Sequence, residues 1–212
     1  LNVSIIEAYV LHTPPASILS AEEAVDSLPP YKVVANIPYY ITSPIIHHFL
    51  EAVPQPSSMV IMVQKEVGEA IVAKPGNMSI LAVSVQLYGK PTIVGHVPAR
   101  SFHPPPKVES VILRIVPYEK PLVDISGTNE FFATVRAGFS APRKQLRNSL
   151  AQGLGIDTRK AAGLLESAMI DYRRRAEALT LEEWATLSKK VAPYLGDTVE
   201  DKSGLKEGDG YK

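Results

Sequence analysis

The 212 residues carry 22 basic and 22 acidic side chains, no cysteine, 45% hydrophobic residues and 21% charged residues. That balance fits a folded globular chain, excludes an intrinsically disordered one, and allows one substantial core with a small second domain. It also excludes disulfides and thiolate metal sites, and at zero net charge any nucleic-acid surface has to come from local clustering.

In chain order, Val3 to Ile6 is β-branched and apolar, which predicts a short strand. It has no basic start, no long apolar stretch and no initiator Met, so it reads as a cut through a domain rather than a signal peptide. A loop is predicted through Thr13-Pro14-Pro15. Ser20-Ala21-Glu22-Glu23 has the pattern of a capping box that starts a helix. Val33 to Ala35 predicts a buried strand end, with Asn36 at its C-terminal edge. Ser43-Pro44 opens a helix through Leu50, since proline fits the first turn. Met59 to Val63 is a continuous apolar run, predicting a central strand. Lys65 to Ala73 predicts a helix, and Ser79 to Tyr88 fits helix or strand equally by pattern. Thr92 to Val97 and Val111 to Val116 predict two strands around the stiff Phe102-His103-Pro104-Pro105-Pro106 segment. No apolar run approaches the ~20 residues of a membrane span.

This alternation predicts an α/β domain over residues 1–120. After Pro121 the pattern turns helical: Phe131 to Phe139, Arg143 to Gln152, Arg159 to Ser167 and Leu181 to Val191 predict a small all-α domain over 121–195. The Gly-, Asp- and Lys-rich residues 196–212 are expected to form a disordered tail.

In open α/β sheets, ligands bind beyond the C-terminal strand ends. Asn36-Ile37-Pro38-Tyr39-Tyr40 stands at such an end, and its residue types suit an exocyclic amine. The Asn36 amide oxygen accepts one N–H and the Pro38 carbonyl the other. Tyr39 offers a flat face on which a purine stacks, worth roughly 1–3 kcal/mol per base. Phe102 is a second aromatic that can close the other face. An ordinary turn after a strand is the plain alternative for these residues, and a core plug is the plain alternative for Phe102. His47 and His48 are adjacent and point apart on a helix, so no metal site is expected. Trp184 is expected in the core of the small domain.

From 132 to 190 there are eleven basic residues against six acidic ones, a local excess of 11 − 6 = +5. Arg143, Lys144 and Arg147 stand at i, i+1 and i+4, so Arg143 and Arg147 are expected to share a helix face. Arg173, Arg174 and Arg175 add to it. Such a surface fits an RNA phosphate backbone, and a solvated surface helix is the plainer alternative.

These blocks resemble a known family. Asn36-Ile37-Pro38-Tyr39-Tyr40-Ile41 is similar to the N-[LI]-P-Y loop of the rRNA adenine N6-dimethyltransferases. Val63-Gln64-Lys65-Glu66-Val67 resembles their Q-K-E-V segment, and the run from Phe102 to Ser110 resembles F-x-P-x-P-x-V-x-S. The run from Arg143 to Leu150 resembles R-K-x-[IL]-R-N-S-L, and the run from Arg175 to Thr180 resembles R-x-E-x-L-[ST]. The resemblance implies a Rossmann-like class I methyltransferase sheet, in its C-terminal portion, followed by a helical RNA-binding domain. It implies transfer of methyl groups from S-adenosylmethionine to N6 of adenines in 16S rRNA of the small ribosomal subunit, in the cytoplasm, by a monomer. Asn36, Pro38, Tyr39 and Phe102 would hold the base, and Asn36 and Tyr9 would face the cofactor. The family's Gly-rich loop and ribose-binding acid would lie ahead of Leu1, and Tyr9 stands where the family has Asp. The chain is therefore expected to be part of a methyltransferase. Three alternatives remain open: a 23S rRNA adenine methyltransferase, a DNA-adenine or protein-glutamine methyltransferase, and a non-catalytic rRNA-binding assembly module.

Overall fold

The computed structural model describes residues 3–19 and 30–195. The chain divides into two compact units, Leu1–Leu122 and Val123–Lys212.

The first unit is a mixed four-stranded sheet in the order β1-β2-β4-β3, built from β1 (Lys32–Asn36), β2 (Ser58–Gln64), β3 (Gly89–Val97) and β4 (Ser110–Pro117). β1 runs parallel to β2, while β4 is antiparallel to both β2 and β3. Met59, Ile61 and Val63 pair in register with Ile115, Leu113 and Val111, and all six are fully buried on one face. Helices α2 (Thr42–Leu50), α3 (Lys65–Ile71) and α4 (Ile80–Tyr88) supply Ile45, Ile46, Phe49, Leu50, Ile71 and Val85 to the same core. The ambiguous run from Ser79 to Tyr88 is helical because Ser79 caps it, its hydroxyl accepting the Ala82 N–H at 3.1 Å.

Several expectations give way here. Val3 to Ile6 is not a strand: it is exposed, with Ile5 93% accessible, and among the described residues no strand lies beside it to pair with. The loop expected through Pro15 ends one residue earlier, and Pro15 opens a short helix, α1 (Pro15–Leu19). The capping box at Ser20 and the tail from 196 lie outside the described residues. Val33 to Ala35 is only partly buried: Val33 and Ala35 pack against the core, but β1 bonds only to β2 among the described strands, and Val34 is 80% exposed. The first helix after the Asn36 loop opens at Thr42, two residues before Pro44.

The second unit packs α5 (Thr128–Gly138), α6 (Leu146–Leu154), α7 (Thr158–Ser167) and α8 (Leu181–Val191). Phe131, Leu146, Leu150, Leu165, Trp184 and Leu187 are fully buried at its centre. α8 starts at a complete capping box, Thr180 and Glu183 each satisfying the other's backbone N–H.

Glu183 also takes both guanidinium nitrogens of Arg174. Burial pushes the Glu183 carboxyl up, but the Arg174 hydrogen bond and the Thr180 N–H outweigh it, so the carboxyl titrates below its ordinary value. The stability this contributes is complete above the ordinary glutamate range and is lost as pH falls through the folded-state value. Glu183→Gln is therefore expected to lower the melting temperature at pH 7 and to narrow its gap from the unmodified chain under acid. Equal melting of the two at pH 7 would show that the pair contributes nothing.

Candidate functional site

The sheet brings one set of loops to one rim. Asn36 pairs with Met62 near the end of β2, Gln64 pairs with Ser110, and Ser110 pairs with Val97 at the end of β3. The loop after β1 and the segment 98–109 between β3 and β4 therefore leave the sheet at the same edge, although some sixty residues separate them.

Asn36 is the last residue of β1; it is exposed, and its amide has no partner among the described residues. Ile37 turns inward, 7% exposed, and anchors the loop in the core. The Pro38 carbonyl accepts the Ile41 N–H at 3.2 Å, which leaves one of its two lone pairs for a ligand. Tyr39 opens a 3-10 turn, Tyr39–Ile41, and its carbonyl accepts the Thr42 hydroxyl at 3.0 Å. Its phenol meets the Ser110 hydroxyl at 2.5 Å. Phe102 is half-buried and follows the 3-10 turn Ala99–Ser101, donating its N–H to the Ala99 carbonyl. Lys65 at the start of α3 reaches Glu109 at 2.8 Å, and its N–H bonds the Glu109 carbonyl, so the Q-K-E-V block braces the residue before β4.

Tyr9 is 55% exposed and lies edge-on to His12, with ring centroids 4.7 Å apart. No hydrogen bond or ring contact joins it to Asn36 among the described residues. Of the residues matched to a cofactor role, the free amide of Asn36 fits a polar group of S-adenosylmethionine, whereas Tyr9 offers no carboxylate acceptor. The donor set present is thus partial. A groove of about 450 Å³ along β1, lined by Val10, Pro15, Val33, Ala35, Ile45 and Phe49 among others, is mainly apolar, with Tyr31 and Lys32 as its polar side chains.

In the helical unit, Arg143 and Lys144 do not lie on a helix, and the shared helix face with Arg147 is not formed. Both stand exposed in the turn before α6, whose first residue is Leu146. Ser149 is buried and donates its hydroxyl to the Ala141 carbonyl at 2.8 Å, fixing that turn. The N–H groups of Leu146 and Arg147 bond the carbonyls of Arg174 and Tyr172, which stops the helix from extending backwards. Arg147 and Arg173 both lie against the Tyr172 ring, 4.9 and 5.6 Å from its centroid. Arg174 is committed to Glu183 and the Ala178 carbonyl, and Arg175 lies 3.7 Å from Glu177. His47 bonds Ser84, and His48 lies 3.3 Å from the Thr13 carbonyl. Among the described residues no group of three or more potential ligands gathers for a metal.

The sequence reading missed Ser110, Ser149 and Tyr172. Ser110 and Ser149 were inside recognised blocks, but nothing local marks which group a buried serine bonds, a distant phenol for one and a backbone carbonyl for the other.

Residues 2–187 match the family described as ribosomal RNA adenine dimethylase. The ribosomal RNA small subunit methyltransferase A of Dehalococcoides mccartyi strain CBDB1 is 47% identical over 191 residues, which span 90% of this chain and 64% of that protein. The protein of the same name from Alkaliphilus metalliredigens is 43% identical, over 77% of this chain and 58% of that protein. The chain thus spans less than two thirds of the length of these relatives. A dimethyladenosine transferase from Plasmodium falciparum superposes with a TM-score of 0.66 at 28% identity, over 81% of this chain and 71% of that one. A 23S rRNA methyltransferase gives 0.63 at 25% identity, over 90% and 72%. Both share the Rossmann-like class I methyltransferase fold.

Proposed function

The chain belongs to the ribosomal RNA adenine dimethylase family, and on that premise we propose that it holds the target adenine and the RNA for N6 dimethylation of small-subunit (16S) rRNA. The observation that carries the reading is the free amide of Asn36 at the strand end, next to the half-used Pro38 carbonyl and a pinned Tyr39.

When bound, S-adenosylmethionine supplies an electrophilic methyl group. The adenine amine is a poor nucleophile because its lone pair is delocalised into the ring. Asn36 Oδ1 accepts one N6–H and the Pro38 carbonyl the other, which favours a more tetrahedral nitrogen and directs its lone pair. Tyr39 and Phe102 cover the faces of the base, which has to leave its stack to enter. The proton released from N6 passes to water, since an amide is no general base. Catalysis by these residues is positioning and electrostatics.

The second unit supports the reading by its charge. Arg143 and Lys144 are exposed and pair with no acid among the described residues, and Arg147, Arg173 and Arg175 extend the basic surface toward a phosphate backbone. Arg174 serves the fold. We propose further that the protein acts as a monomer at small ribosomal subunits in the cytoplasm. No helix among the described residues is long and apolar enough to cross a membrane.

The test is methyl transfer by the protein at the relatives' full length, offered small ribosomal subunits, 23S rRNA, naked DNA and a release factor in parallel. Transfer to small subunits alone is expected. Titration of the protein at the relatives' full length with S-adenosylmethionine separates the enzyme from a non-catalytic assembly module. Arg143→Glu is expected to weaken RNA binding and to flatten its salt dependence by about 0.7–0.9 in log–log slope for each phosphate that is no longer neutralised. An unchanged slope would remove this turn from the RNA surface.

A further inference from the structure

Ser110 is fully buried, and a buried hydroxyl is costly unless bonded. Its partner is Tyr39 Oη at 2.5 Å, and among the described residues neither hydroxyl has another. The two residues are 71 positions apart: Tyr39 lies in one of the loops that share the rim, and Ser110 is the strand residue at which the other ends. Ser110 is the first residue of β4 and is held by pairing to both Gln64 and Val97, so its Oγ is a fixed point. Tyr39 is less constrained: its backbone lies in a 3-10 turn on the surface, and its ring is free to swing about two side-chain torsions unless the phenol is tied.

We propose that Ser110 is a positioning residue for adenine recognition: its hydroxyl fixes the plane of the Tyr39 ring and sets it in register with the segment that carries Phe102. The inference rests on the adenine-pocket reading above. One hydrogen bond then orders both walls of the slot before the base arrives, and the base loses its own freedom without also having to order a loop. The bond does no chemistry. Either hydroxyl can donate, and nothing about it requires a charge.

The test uses this chain and a single-stranded RNA carrying one 2-aminopurine, whose fluorescence falls when it stacks on an aromatic ring. Ser110→Ala and Tyr39→Phe each remove one partner and leave the ring in place. Each is expected to lower the stacked population about fivefold, the scale of one hydrogen bond, with the salt dependence of RNA binding by anisotropy unchanged, because no phosphate contact is touched. The double variant is expected to match either single variant, because both delete the same bond. Full quenching retained by Ser110→Ala, or effects that multiply in the double variant, would overturn the proposal. Ser110→Ala is the cleaner deletion, since it removes the buried hydroxyl itself, whereas Tyr39→Phe leaves the Ser110 hydroxyl buried and unpaired. If either variant loses its fold by circular dichroism the other decides, and unchanged quenching there overturns the proposal. An absence of quenching by the unmodified chain overturns the adenine pocket itself, a result distinct from the loss of Ser110's role.

Discussion

Asn36→Ala, in the protein at the relatives' full length, is expected to slow methyl transfer about 10²–10³-fold, the usual effect of removing one preorganised polar group from a reacting centre. RNA affinity is expected to stay within about twofold, because phosphate contacts dominate it. The structure makes this substitution clean. Asn36 is exposed and its amide bonds nothing among the described residues, so its removal breaks no internal hydrogen bond and leaves no buried group unpaired. The effect belongs to kcat rather than KM if the amide works mainly on the amine nitrogen as it becomes tetrahedral. Single-turnover kinetics with saturating small subunits measure this directly. A rate within about threefold of the unmodified protein, on a scale where deleting one such group costs a hundredfold, would end the role given to Asn36.

Trp184→Ala is expected to produce the largest loss of stability, about 3–5 kcal/mol, as for other fully buried tryptophans. The ring is 0% exposed and stacks on Phe139, with centroids 5.6 Å apart and planes 27° apart. Its far edge lies over Gly138, where a Cβ would fall 2.4 Å from Trp184 Cη2. The indole is therefore packed on both sides, and the structure around such a gap relaxes only partly. A loss of that size is a large share of a domain's net stability. The helical signal is expected to melt at a much lower temperature, and the contribution from residues 123–195 to melt first. Trp184→Phe is expected to cost clearly less, because the indole N–H is buried without a hydrogen-bond partner among the described residues, and its removal relieves a desolvated donor. Similar melting of the Ala variant and the unmodified protein, followed by circular dichroism, would contradict this account of the core.

How far the site could be read from sequence depended on the range of the forces involved. The Asn36 loop was legible because its chemistry is local: a strand end, a proline and an aromatic within four residues. The run Leu181 to Val191 was legible as a helix to the residue, since its apolar positions recur with helical spacing and its cap lies in the same stretch. The start of α6 was not. Arg143 and Lys144 are good helix formers, yet Ser149 holds the Ala141 carbonyl, and carbonyls of Tyr172 and Arg174, more than twenty residues on, take the amides of Arg147 and Leu146. Distant hydrogen bonds overrode local propensity. Val3 to Ile6 failed for a related reason: β-branched residues favour an extended chain, but a strand needs a second strand alongside, and none of the described strands pairs with it.

What the amino-acid order determined alone was the family, the α/β and helical halves, and the residue types at the rim, because each is written in contiguous blocks. What only the tertiary structure decided was how those blocks meet. Strand pairing of Gln64 with Ser110 and of Ser110 with Val97 carries the Phe102 segment to the edge that bears Asn36, and the Tyr39–Ser110 bond then joins the two loops. Hydrogen bonds and packing act over a few ångströms, so residues seventy positions apart in sequence interact only after the sheet has folded them together.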